Sequence, residues 1–179
     1  VHQKQLQANP NDPAEHRYLG ARLQQIGRID EAISHFQRAL RVERDSSRTH
    51  VVLGDALAEA GRFDEAFRHF QEADRLEPNQ PGTLNSLAQV LARHPNPDSR
   101  DPAQAVGLAK RAVELTQRKN PALLETLAVA YAAAGQYEKA VAASEAAIEV
   151  ATAAEEHELA GAIRKRLEAY QQTMLGQRR

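Results

Sequence analysis

The chain has 179 residues, of which 42% are apolar and 4% aromatic, and its 23 lysines and arginines nearly balance 24 aspartates and glutamates. A formal net charge of -1 offers no basic field to a phosphate backbone, so we expect no binding of nucleic acid. The absence of cysteine excludes disulfides, thiolate nucleophiles and cysteine-ligated metals. No apolar run approaches the roughly 20 residues of a membrane-spanning helix, so we expect no membrane insertion.

The sequence repeats itself with a period of 34 residues. Gly20 recurs at Gly54, and Phe36 recurs at Phe70. Two further copies continue with small and apolar residues at Leu87, Ala88, Leu91, Ala105, Ala109 and Ala112, and at Leu127, Ala128, Tyr131, Ala140, Ser144 and Ala147. The chain therefore contains four repeats, and a fixed period of this length is typical of a solenoid.

Each repeat is predicted to form two helices. Apolar residues fall three and four positions apart among strong helix formers such as Ala, Leu, Arg and Glu. Gly27, Gly61 and Gly135 end the first helices, because glycine accepts the left-handed backbone at no steric cost. Asp-Pro and Asn-Pro pairs mark helix starts. We expect helices over residues 13–26, 29–44, 47–60, 63–76, 81–93, 102–116, 121–134 and 137–153.

The predicted units follow one another along the chain. Residues 1–12 match the tail of a second helix, so we expect a truncated upstream repeat there. The four repeats then cover residues 13–46, 47–80, 81–120 and 121–154. A first hairpin without its upstream neighbour would be partly uncovered, which makes that end a candidate surface for self-association.

The third repeat carries an insertion at residues 94–100. Its sequence, His-Pro-Asn-Pro-Asp-Ser-Arg, contains two prolines and lacks the glycine found at the other turns. We therefore predict a stiff, exposed loop that leaves the hairpin intact. It is either a tolerated surface insertion, since loops lengthen at little cost, or a loop that contacts a partner.

A helix beyond the last repeat is predicted over residues 155–175. Leu159, Ile163 and Leu167 continue at helical spacing with charged residues between them. Such a helix would cover the apolar end of the last hairpin and turn a polar face to water. Residues 176–179 are expected to form a disordered tail, and no targeting signal is visible from which to assign a cellular location.

The two fullest repeats resemble the tetratricopeptide repeat. The resemblance rests on Leu19, Gly20, Leu23, Gly27, Ala32, Phe36 and Ala39, and on Leu53, Gly54, Leu57, Gly61, Ala66, Phe70, Ala73 and Pro78. It implies an all-α fold, a right-handed superhelical solenoid of antiparallel helix hairpins. It also implies a non-catalytic scaffold that binds a peptide or protein segment in a concave groove.

A search for reactive groups favours this non-catalytic interpretation. The sequence holds no His-Glu-x-x-His zinc motif, phosphate-binding loop or nucleophile elbow, so we expect no metal, no cofactor and no catalytic residue. His16 and His50 occupy equivalent repeat positions, as do His35 and His69, which is typical of duplicated structural residues. Acidic residues in first helical turns complement the helix dipole.

The resemblance places the binding groove on the first helix of every hairpin. Its candidate residues are Arg17, Gln24, Arg48, Val51, Asp55, Asn85, Gln89, Arg93, Glu125 and Val129. Arg17 and Arg48 are predicted to anchor an acidic or C-terminal ligand group. Chaperone-tail clamping is not expected, because Arg17 alone has suitable chemistry among the wall positions that clamp a terminal carboxylate in such relatives.

Three functions remain open at this point. The first is an interaction module that holds a peptide or protein segment. The second is an architectural or self-assembling spacer, and the third is a regulatory appendage of a larger bacterial multidomain enzyme. The preference for arginine over lysine is typical of a GC-rich bacterial genome.

Overall fold

The structure is a computed structural model that describes residues 11–177, and within that range all regular secondary structure is helical. A short 3₁₀ turn spans Pro97–Ser99. The α-helices are α1 (Pro13–Gln25), α2 (Ile29–Val42), α3 (Ser47–Glu59), α4 (Phe63–Leu76), α5 (Pro81–Arg93), α6 (Pro102–Leu115), α7 (Pro121–Ala133), α8 (Tyr137–Ala153) and α9 (His157–Gln177). Consecutive helices pair into hairpins, α1 with α2, α3 with α4, α5 with α6 and α7 with α8.

The chain divides into two compact units. Unit 1 is Val1–Pro78 and contains α1 to α4, and unit 2 is Asn79–Arg179 and contains α5 to α9. In unit 1 the second helix of the first hairpin, α2, packs against α3. In unit 2, α6 packs against α7 and α8 packs against α9, so hairpins stack through neighbouring helices in both units.

Local sequence signals set the helix ends. The Asp12 carboxylate accepts hydrogen bonds from the Ala14 and Glu15 amides at 2.9 and 3.3 Å, and proline occupies the first turn of α1. At the other end Gly27 has φ +77°, which lets the Arg28 amide donate to the Leu23 carbonyl at 2.9 Å. This geometry reverses the chain into α2 and satisfies carbonyls that the helix end would leave free.

The core of unit 1 depends on two phenylalanine–glycine contacts. Phe36 and Phe70 are fully buried, and each ring lies against a glycine of the first helix of its hairpin. A Cβ at Gly20 would come within 2.5 Å of the Phe36 ring, and one at Gly54 within 2.6 Å of the Phe70 ring. The rings therefore occupy the space that any larger residue would need.

The core of unit 2 is built from smaller side chains at the same positions. Ala88 and Ala128 replace the two glycines, while Ala109 and Ser144 replace the phenylalanines, and all four are buried. Leucines on the first helices supply the larger buried side chains of this unit, at Leu84, Leu87, Leu91, Leu123, Leu124 and Leu127.

The inserted loop is ordered by its own hydrogen bonds. The Asp101 amide donates to the Leu91 carbonyl at 3.3 Å across the base of the loop, and the Arg100 side chain donates to the His94 carbonyl at 2.6 Å. Inside the loop the Asp98 amide donates to the Asn96 side chain at 3.1 Å. Most of residues 95–100 are exposed, as predicted, but His94 is buried.

Helix ends without a glycine or proline were predicted less well. Helix α2 stops at Val42 rather than residue 44, since Glu43 leaves the helical conformation, with φ -111° and ψ 79°. Helix α9 runs from His157 to Gln177, so Gly176 and Gln177 are helical and not part of a disordered tail. The predicted upstream tail, residues 1–12, lies outside the described residues except for its last two positions.

Candidate functional site

The candidate residues lie on the first helices of the hairpins, which contact each other within each unit. Helix α1 contacts α3 in unit 1, and α5 contacts α7 in unit 2. We call these surfaces the first-helix faces; that of unit 1 carries Arg17, Gln24, Arg48, Val51 and Asp55, and that of unit 2 carries Asn85, Gln89, Arg93, Glu125 and Val129. All ten are half-buried or exposed, as a binding surface requires.

On the face of unit 1, Arg17 is already engaged within the unit. Its guanidinium pairs with the Glu43 carboxylate and lies 3.4 Å from the Thr49 hydroxyl. Arg17 therefore links α1 to the turn that joins α2 and α3. A ligand carboxylate that binds Arg17 must share it with Glu43 or replace Glu43.

The other residues of this face differ in how strongly the protein holds them. The Gln24 amide donates to the Glu59 carboxylate at 2.9 Å, which joins α1 to the last turn of α3. Arg48 and Asp55 are exposed and Val51 is half-buried. Arg48 is thus the more accessible of the two arginines predicted to anchor a ligand.

On the face of unit 2, Asn85 has a buried acceptor without a donor. Its Oδ1 atom is shielded from solvent and, among the residues that the structure describes, receives no hydrogen bond. Leaving such a group unpaired costs about 1–3 kcal/mol. One turn further along α5, the Gln89 amide donates to the Thr126 hydroxyl on α7 at 3.2 Å, so Gln89 has a partner while Asn85 Oδ1 lacks a donor.

An ion pair joins the face of unit 2 to α9. Glu125 on α7 pairs with Arg166 on α9, and the Glu125 side chain is only 16% exposed. Partial loss of water, followed by the nearby positive charge of Arg166, lowers the pKa of Arg93. Burial raises the pKa of Tyr170, whose hydroxyl therefore stays protonated near neutral pH. Helix α9 thus brings Arg166 to this face.

Four of the seven histidines form two pairs inside the hairpins of unit 1. The Nδ1 atoms of His16 and His35 are 3.0 Å apart, and those of His50 and His69 are 2.9 Å apart. His50 Nε2 also lies 3.1 Å from the Arg44 carbonyl and donates to it. Burial, and then the charge of the paired ring, lowers the pKa of both His35 and His69.

Two further features bear on function. Within residues 11–177, no group of three or more histidines and acidic residues is placed to hold a metal ion. Over the same residues, none of the helices combines the length and the apolar character needed to cross a bilayer.

Sequence reasoning missed the partners of the predicted residues. Glu43, Glu59 and Thr126 hold three of the ten candidates, and Arg166 and Tyr170 come from the helix that was predicted only to cap the end. These contacts join residues 26 to 41 positions apart. The repeat pattern indicates which helices are neighbours but carries no signal for which polar side chains meet.

Similarity to known sequences is confined to the repeats. The tetratricopeptide-repeat pattern matches residues 19–81, and a second pattern with the same description matches residues 122–153. No curated protein sequence matches the chain.

Solved structures with a similar fold include tetratricopeptide-repeat proteins and MamA. A thermophilic tetratricopeptide-repeat protein of Thermus thermophilus gives a TM-score of 0.73 at 19% identity, over 94% of this chain and 86% of that one. YrrB, a repeat protein with an unusual peptide-binding site, gives a TM-score of 0.69 at 19% identity, over 94% of this chain and 84% of that one. MamA of Desulfovibrio magneticus gives a TM-score of 0.67 at 19% identity, over 90% of this chain and 97% of that one.

At this level of identity the likenesses establish the fold alone. The predicted fold class, an all-α solenoid of helix hairpins, is confirmed. The right-handed superhelical turn and a groove continuous over all ten candidate residues stay predictions.

Proposed function

Because the chain belongs to the tetratricopeptide-repeat family, a family of protein-interaction scaffolds that are generally non-catalytic, we propose that it binds an extended segment of another protein on its first-helix faces. The bound chain would contact side chains of the first helices, and its backbone polar groups would find partners there. The likeness to YrrB, a protein with a peptide-binding site, supports this assignment.

The observation that carries the proposal is the unpaired acceptor of Asn85. A buried carbonyl oxygen on an otherwise well-paired face costs free energy in the unbound protein. Rotation of the Asn85 side chain would turn this oxygen outward, where a backbone N–H of a ligand would satisfy it, so that binding recovers the cost. A purely architectural spacer or a regulatory appendage has no such requirement at this position, which is why we favour ligand binding.

The face of unit 1 offers contacts of its own. Arg48 is exposed, and Val51 is half-buried on the same helix, α3, so a charged and an apolar contact lie close together. Arg17 would contribute less, since Glu43 already neutralises its charge. In this proposal Arg48 is the stronger of the two predicted anchors.

Selection from a random peptide library, displayed on phage and panned against the whole chain, tests the proposal. We expect selected peptides to bind Asn85→Ala about tenfold more weakly, the loss associated with one well-placed hydrogen bond. Gln104→Ala is the matched control, because Gln104 is an exposed amide side chain on the second helix of the same hairpin. Equal affinity for Asn85→Ala and the unchanged chain would refute the assignment of this face.

A further inference from the structure

The two histidine pairs of unit 1 have a spacing that suits metal ligands. Their facing Nδ1 atoms are 3.0 Å apart for His16 and His35 and 2.9 Å apart for His50 and His69. Metal–imidazole bonds are about 2.0–2.1 Å long, so two nitrogens on one ion lie about 2.9 Å apart when the bonds meet at a right angle and about 3.3 Å apart at the tetrahedral angle. An ion that binds ligands at right angles therefore replaces the shared proton of either pair with little change in the distance between the two nitrogens.

The repeat itself does not require histidine at these positions. The equivalent residues of unit 2 are all apolar, at Leu84, Leu108, Leu124 and Ala143. An imidazole costs more to bury than such a side chain, because its polar nitrogens lose their contact with water. Histidine on both helices of two successive hairpins therefore indicates a role beyond packing.

The His50 ring is also oriented as a metal ligand is. Its Nε2 donates to the Arg44 carbonyl at 3.1 Å, so the neutral ring keeps a lone pair on Nδ1, the atom that faces His69. Histidines that bind metals are commonly fixed in this way, by a hydrogen bond from the nitrogen that does not touch the ion. Burial lowers the pKa of His69, which keeps its ring neutral as metal binding requires. His69 then has only to move its proton from Nδ1 to Nε2.

We infer that each histidine pair of unit 1 is a binding site for one divalent transition-metal ion that takes ligands at right angles, Cu²⁺ or Ni²⁺. Imidazole suits both ions, whereas Zn²⁺ prefers the wider tetrahedral angle. The described residues assemble no third histidine or carboxylate at either pair, so water completes each shell. His35 and His69 are half-buried, which lets an ion enter from solvent. The inference is independent of the proposed function and replaces the expectation from the sequence that no metal binds.

An ion held by both rings of a pair joins the two helices of a hairpin. His16 and His35 lie on α1 and α2, and His50 and His69 lie on α3 and α4. A ligand that binds the folded chain more tightly than the unfolded chain stabilises the fold. Metal binding should therefore raise the protection of unit 1 against amide hydrogen exchange and leave unit 2, which has no such pair among its described residues, unchanged.

Calorimetric titration of the whole chain with Cu²⁺ tests the inference. The chain carries no histidine tag, and every sample contains His2→Gln, because a histidine beside the terminal amine is a copper ligand of its own. We expect one ion for each pair, the loss of one ion in His69→Gln, and the loss of both when His35→Gln is added. His157→Gln is the matched control and should change nothing, since His157 is an exposed histidine outside both pairs.

Electron paramagnetic resonance of Cu²⁺ on the chain with all four paired histidines intact gives a second readout, which does not depend on how well the histidine-pair variants fold. We expect a tetragonal spectrum with two nitrogen ligands on each ion. A single nitrogen ligand, the same number of bound ions in His69→Gln as in its parent, or an equal loss in His157→Gln would overturn the inference. Absence of Cu²⁺ binding would also overturn it and leave the pairs as internal hydrogen bonds.

Discussion

The two units solve the same packing problem in different ways. In unit 1 a large ring fills the space between helices and forces glycine onto the facing helix, as Phe70 does with Gly54. In unit 2 the facing positions are both small, as with Ala128 and Ser144. The two facing positions of the repeat are therefore occupied either by a large ring and a glycine or by two small residues. The size of the side chain that one position tolerates depends on the residue at the other.

Removal of the Phe70 ring should change the free energy of unfolding more than any other substitution considered in this comparison. We expect Phe70→Ala to lower the free energy of unfolding by about 3–5 kcal/mol, because the glycine opposite has no side chain to fill the cavity. Urea denaturation followed by circular dichroism measures it. A loss below about 1 kcal/mol would show that unit 1 already tolerates the small-residue packing of unit 2.

Filling the glycine should cost less and depend on the ring. Gly54→Ala places a Cβ within 2.6 Å of Phe70, so we expect a loss of about 1–3 kcal/mol in the unfolding free energy. In the Phe70→Ala background the same change should stabilise the protein, since the clash is gone and alanine is the better helix former. A double-mutant cycle by urea denaturation measures the reversal of sign.

The control for this prediction is Gly107→Ala in unit 2. No atom outside the helix lies within 4 Å of a Cβ at Gly107, so alanine should stabilise helix α6 by about 0.5–1 kcal/mol. Equal effects of the two glycine substitutions would mean that helix propensity, and not the ring, decides the choice of glycine.

The small-residue packing of unit 2 has a cost of its own at Ser144. Its hydroxyl is buried and, within the described part of the chain, has no hydrogen-bond partner. We expect Ser144→Ala to raise the unfolding free energy by about 1 kcal/mol, because it removes the unsatisfied group and improves helix propensity. Ser34→Ala shares only the gain in propensity, since the Ser34 hydroxyl donates to the Asp30 carbonyl at 3.0 Å on an exposed surface.

Thermal unfolding at neutral pH measures the difference between these two serine variants. If Ser34→Ala stabilises the protein as much as Ser144→Ala does, the unsatisfied buried hydroxyl of Ser144 has no effect on stability.

The histidine pairs should make unit 1 the acid-sensitive half. The pKa values of His35 and His69 are lowered in the folded state, so as the pH falls below the ordinary histidine value of about 6.5 the unfolded chain binds more protons than the folded one. Stability is therefore highest above the unfolded pKa and falls as the pH drops through it. Unit 2 lacks such a pair among its described residues, and its stability should change less over this range.

Amide hydrogen exchange at several pH values, read separately for the two units, measures this difference. His69→Gln should reduce the acid sensitivity of unit 1, because the ring that cannot easily gain a proton is gone. Equal loss of protection in both units on acidification would contradict the assignment to the histidine pairs.

The repeat made the helices predictable, while the contacts between polar side chains were not. Period, glycine stops and proline starts place every hairpin because these signals act locally, over a few residues. The end of α2 was predicted at residue 44 instead of Val42, because Arg41, Glu43 and Arg44 all favour helix and no glycine marks the end. The Arg166–Glu125 pair had no local signal, since it depends on how long, flexible side chains of distant helices meet.

The hydrogen bond from Asp101 to Leu91 has a practical consequence. It closes the base of the loop at residues 94–100. The ends of α5 and α6 are therefore held together whatever sequence the loop contains. Doubling the length of such a loop costs only about 0.6 kcal/mol in chain entropy. A short reporter sequence spliced between Asp98 and Ser99 should therefore leave α5 and α6 paired, giving a handle for immobilising the protein in binding measurements.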